Sequence, residues 1–159
     1  MDWSGIRIQA DRLHASLQRM AEIGATPGGG VTRLALSDED RAGRESLRQW
    51  MTEAGLSVRV DDLGNMVGRR DGREDLPPVQ LGSHCDSVRL GGRFDGVLGV
   101  LGALEVVRTL NDHGIATRHP IEVINWTNEE GVRFEPAMLA SGVVTGRFTR
   151  EYAYDRQDA

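Results

Sequence analysis

The chain contains no lysine; all 19 of its cationic side chains are arginine. That excludes a Schiff-base lysine and a phosphate-loop lysine. Cysteine is nearly absent as well. The single Cys85 excludes an internal disulfide and any cysteine-based zinc knuckle. No apolar run approaches the roughly 18 residues a membrane span needs. The stretch Met1–Leu17 also lacks the basic start and apolar core of a signal peptide. A cytoplasmic location without a membrane partner is therefore expected. Basic charge is in short supply too: the formal net charge is −5, which argues against nucleic acid as a partner, because phosphate binding needs a basic face. What remains is ordinary for a globular chain. With 159 residues, 39% of them hydrophobic, a real core can be buried, and a small-molecule substrate is the expected partner.

Periodicity and turn residues divide the chain into short elements. Residues 8–23 place Leu13, Leu17 and Met20 at helical spacing, with Gly24 as the stop. Ala25-Thr26-Pro27-Gly28-Gly29-Gly30 reads as a flexible connection; without a lysine or a preceding strand its glycines do not make a phosphate loop. Ser37 followed by Asp38-Glu39-Asp40 reads as an N-cap with an acidic first turn, opening a helix through Leu47, Trp50, Met51 and Ala54 that Gly55 closes. Ser57–Asp61 and Asn65–Arg70 read as strands joined at Asp62-Leu63-Gly64, and Asp71–Pro78 as loop. Val79–Ser83, Leu98–Asp112 and Ile121–Thr127 then give strand, long helix, strand. That is the crossover pattern of a parallel sheet covered on both faces, with Ile121, Val123 and Asn125 pointing inward. Gly96, Gly99 and Gly102 recur every third residue and predict close packing of the helix start against the sheet.

Ligands in such sheets bind beyond the carboxyl ends of the strands. His84-Cys85-Asp86 follows one strand and Asn128-Glu129-Glu130 the other, with Asp95 in the glycine-rich turn between them. In extended backbone His84 and Asp86 share a side, which suits a metal-bound imidazole whose second nitrogen is held by a carboxylate. Each residue alone has a plain structural role available: a surface histidine, a helix-capping aspartate, a solvated pair of glutamates. Together, one histidine and three carboxylates compose a plausible two-cation site rich in oxygen ligands. Cys85 faces away from its histidine neighbour in a strand, so it is read as a small core residue and not a nucleophile.

Three stretches carry a resemblance: Leu81-Gly82-Ser83-His84-Cys85-Asp86-Ser87-Val88, Gly91-Gly92-Arg93-Phe94-Asp95-Gly96, and Asn125 through Phe134. They resemble the hydantoinase/carbamoylase family of amidases, which includes N-carbamoyl-L-amino-acid hydrolases, β-ureidopropionases and allantoate amidohydrolases, within the M20-type metallopeptidase clan. The resemblance runs through the whole chain. It implies a three-layer α/β/α sandwich with a mixed, mostly parallel sheet, residues 1–159 forming the N-terminal part of the catalytic domain. It also implies two divalent metal ions, Zn²⁺ or Mn²⁺ with Co²⁺ or Ni²⁺ as alternatives. His84 would ligate one metal, Asp95 bridge the two and Glu130 ligate the second. Glu129 would be the general base and Asp86 the residue that orients His84. The implied reaction is hydrolysis of a linear C–N bond in an N-carbamoyl or ureido compound. Rival readings are a peptidase or N-acyl-amino-acid deacylase of the same clan, or a non-catalytic remnant.

The sequence also departs from the family pattern. The family's two further ligands are later histidines in a chain more than twice as long. His14, His113 and His119 sit in no matching motif and are read as surface residues. A lid domain, through which a full-length form would pair as a homodimer, has no counterpart here. The isolated chain is accordingly expected to bind metal weakly and to be inactive.

Overall fold

The computed structural model describes residues 4–159; the first three residues of the stretch read against a signal peptide lie outside them. The elements, in order, are α1 (Ala10–Glu22), α2 (Asp38–Glu53), β1 (Ser57–Val60), β2 (Met66–Arg70), β3 (Val79–His84), α3 (Val97–Asp112), β4 (Ile121–Trp126), α4 (Leu139–Val144) and α5 (Arg150–Tyr154). Their ends follow from local chemistry. The Ser37 hydroxyl accepts the Asp40 N–H and caps α2. At the other end Gly55, at φ +80°, lets the Leu56 N–H reach the Met51 carbonyl and its own N–H reach that of Thr52, a Schellman closure. The β1–β2 turn is organised by Asp61, whose carboxylate accepts the Leu63 and Asn65 N–H groups.

The four strands lie in the order β1-β2-β4-β3. β3 and β4 run parallel, with His84 level with Trp126, so the expected crossover through α3 is present. The sheet is mixed, as expected. Among the described strands, though, β1–β2 and β2–β4 are antiparallel; the first pair is joined by a short hairpin, not a helix.

Val58, Leu81, Ile121 and Val123 pack with Leu17 and Met20 of α1, Leu47, Trp50 and Met51 of α2, and Val97, Val100, Leu101 and Leu104 of α3. The three long helices thus share one face of the sheet. On the other face, Glu122 is buried in the middle of β4. It accepts from Gln80 at 2.9 Å and lies 3.4 Å from Arg69 and 3.7 Å from Arg59. Both faces of β4 are therefore buried, as the crossover pattern predicts, although alternation alone marked only the odd residues as inward.

Two other expectations change. Gly102 has open space where a side chain would go, so only Gly96 and Gly99 pack closely. The connection around Gly28–Gly30 is not free: Val31 bridges Ala25 on one side and Gly91 on the other, and a side chain at Gly30 would meet the Gly91 carbonyl at 2.7 Å. No helix among the described residues is long and apolar enough to cross a membrane.

Candidate metal centre

β3 and β4 are parallel neighbours, so their carboxyl ends deliver His84 and the Thr127–Glu130 segment to one place. Asp95 enters from the turn before α3. Ligand atoms of His84, Asp95 and Glu130 all lie within 4.8 Å of one another. Glu129 closes the group, its Oε2 3.3 Å from His84 Nε2. The His84 side chain is 7% exposed while that of Asp95 is 68% exposed, so the cluster has a buried floor and an open mouth.

His84 Nδ1 lies 2.9 Å from the main-chain carbonyl of Asp86. A carbonyl can only accept, so Nδ1 carries the proton and Nε2 is the nitrogen available to a cation. This corrects the role given to the Asp86 carboxylate. That group is 3.7 Å from Nδ1 and instead accepts the N–H groups of Glu129 at 3.3 Å and Glu130 at 3.2 Å. Asp86 thus orients the imidazole through its backbone and the two glutamates through its side chain. Burial, reinforced by Asp95 and Glu129, holds the Glu130 carboxyl above its ordinary range, with His84 opposing. A cation would relieve that crowding of like charge. One imidazole nitrogen with several carboxylate oxygens is a donor set that fits a divalent metal ion.

Two residues matter that the sequence did not single out for this site. Gly96, at φ +64°, is pressed against His84: a Cβ there would fall 2.5 Å from the ring. Arg33 is fully buried directly behind Cys85. In sequence it is one arginine of many in a loop, without a local signal. The remaining histidines stand apart. His14 meets Gln18, His119 meets the Pro77 carbonyl, and His113 ends α3. Cys85 is buried, as expected, and burial pushes its thiol up to about 12.

The sequence profile of peptidase family M20/M25/M40 matches residues 80–156, which include the whole cluster. An N-carbamoyl-L-amino-acid amidohydrolase of Rhizobium meliloti is 57% identical over 96% of the chain, which spans 37% of that relative. A ureidoglycolate hydrolase of Arabidopsis thaliana is 36% identical over 90% of the chain, which spans 30% of it. The crystal structure of a hydantoinase/carbamoylase family amidase from Burkholderia ambifaria superposes with a TM-score of 0.96 at 57% identity, over 97% of this chain and 38% of its own. Over nearly its whole length the chain is similar to the hydantoinase/carbamoylase family of amidases. Its fold is the α/β catalytic fold of that amidase structure, and the chain spans only 30–38% of the length of these relatives.

Proposed function

We propose that this chain carries part of the active site of a metal-dependent amidohydrolase that cleaves the linear C–N bond of N-carbamoyl or ureido compounds. The observation that carries the reading is the convergence of His84, Asp95 and Glu130 within 4.8 Å, with Glu129 beside them. His84 Nε2, Asp95 and Glu130 would hold the divalent ions, Asp95 between two of them, with Zn²⁺, Mn²⁺, Co²⁺ or Ni²⁺ all compatible with these donors. Such ions supply Lewis acidity toward a carbonyl oxygen and acidify water. Glu129 stands beside the ligands without being needed as one, which suits it to take the proton of the attacking water and return it to the leaving nitrogen. Asp86 holds both the imidazole and the glutamate pair in place.

The amidohydrolase and ureidoglycolate hydrolase relatives support the carbamoyl or ureido substrate class. The peptidase profile favours a second reading, hydrolysis of peptides or N-acyl amino acids. A substrate panel separates them. A polypeptide of the relatives' length carrying this sequence should turn over N-carbamoyl-L-amino acids or ureido acids and leave N-acetyl amino acids and dipeptides intact. The reverse pattern overturns the amidohydrolase reading.

A further inference from the structure

The most unusual side chain outside the cluster is Arg33. It has no exposed surface, and its hydrogen bonds go to main-chain carbonyls: Nε to Cys85 at 2.7 Å, and Nη1 to Met20 at 2.9 Å and Ile23 at 2.8 Å. Its anionic neighbours, Asp40 and Asp86, act on it through space. Gly43 of α2 makes room for it, since a Cβ there would stand 3.0 Å from Arg33 Cδ. An apolar side chain would fill such a position without the cost of desolvating a guanidinium, so the position calls for what only arginine supplies: a rigid fork that reaches two places at once. One place is the C-terminal turn of α1. The other is the peptide between His84 and Asp86.

The surrounding backbone repeats the link. The Arg33 N–H donates to Ser87 Oγ at 2.9 Å and the Ser87 N–H to the Arg33 carbonyl at 2.9 Å. Val31 and Gly91 exchange a pair of main-chain bonds, and the Leu90 N–H donates to Thr32 Oγ1. Residues 31–33 therefore lie as a splint along residues 85–91, the loop that leads from His84 toward Asp95. The guanidinium fixes the Cys85 carbonyl, hence the following peptide, hence the Asp86 carbonyl that holds His84 Nδ1.

We propose that Arg33 is a positioning residue for the metal centre, clamping the Cys85–Asp86 peptide to α1 so that His84 Nε2 faces Asp95 and Glu130. The proposal rests on the metal-site reading above. It is tested by titrating Co²⁺ alone into a polypeptide of the relatives' length that carries this sequence, following the visible absorption of the bound ion, for the wild type, Arg33→Met, Arg33→Lys and His84→Ala. Thermal unfolding and amide NMR dispersion report the fold separately. With the fold kept, Arg33→Met should bind Co²⁺ about 10- to 100-fold more weakly, as expected for loss of a partner behind a ligand, with an altered spectrum. Arg33→Lys keeps the charge but cannot span the Cys85 carbonyl and the two carbonyls at the end of α1, so its affinity should fall in the same direction by less. A folded Arg33 variant with wild-type affinity and spectrum overturns the proposal. So does loss of fold in both variants, which would make Arg33 a core residue only. Co²⁺ binding unaffected by His84→Ala, or absent from the wild type, instead overturns the metal-site reading beneath it.

Discussion

Gly96 and His84 are in contact across the mouth of β3, with no space between them for even a methyl group. Gly96→Ala would add both that clash and a positive φ on a residue with a Cβ, together costing about 1–3 kcal/mol. The expected outcome is a lowered melting temperature and weaker Co²⁺ binding; a variant with wild-type values for both would contradict the packing described. Cys85 gives a second residue-scale prediction. Its thiol is held neutral to about pH 12 by burial. The folded value is raised, so the stabilisation is fully present below the ordinary thiol range and lost as pH rises through about 12. Iodoacetamide at pH 8.5 should label the native chain far more slowly than the urea-unfolded chain, and equal rates would show the thiol accessible. The three candidate ligands and the candidate base could be picked out in the sequence because each sits in a short stretch of ordered motif. Arg33 could not, because its burial depends on α1, Gly43 and the 85–91 loop, all distant along the chain. Nor could the division of labour within Asp86, since a residue spacing cannot tell whether carbonyl or carboxylate meets the imidazole.

Helix and strand limits were legible wherever one residue type determines them. Ser37 and Gly55 both close α2 as their chemistry demands. Ser37→Ala should cost about 1 kcal/mol through the lost cap. Gly55→Ala should cost a similar amount through its φ of +80° alone, since nothing crowds a Cβ there. Urea unfolding with an unchanged slope would measure both, and no shift in midpoint for either would contradict the capping account. The glycine run near Gly28 misled for the complementary reason. Its order comes from Val31 bridging Gly91, a contact 60 residues away in the chain, and local composition carries no trace of it. The strand β4 shows the same limit: Ile121 and Val123 marked its inner face, but Glu122 is buried on the other by arginines from β1 and β2.

For the molecule as a whole, two adjacent parallel strands gather a half-buried set of candidate ligands, and the chain spans 37% of the length of its Rhizobium meliloti relative. His84, Asp95 and Glu130 would be three donors for the two cations proposed, whereas hydrolytic zinc sites commonly supply about three protein ligands per ion. The 159-residue chain should therefore release no measurable ammonia from N-carbamoyl-L-amino acids. Turnover by the purified chain that Glu129→Gln abolishes would contradict this. The central claim, that Glu129 moves the proton while Glu130 holds metal, is tested most directly in a polypeptide of the relatives' length that carries this sequence. Metal content and kcat are measured for Glu129→Gln and Glu130→Gln side by side. Glu129→Gln should keep its metal and lose about 10²- to 10⁴-fold in kcat, while Glu130→Gln should lose metal as well. Wild-type kcat in Glu129→Gln, or equal loss of metal from both variants, would contradict it.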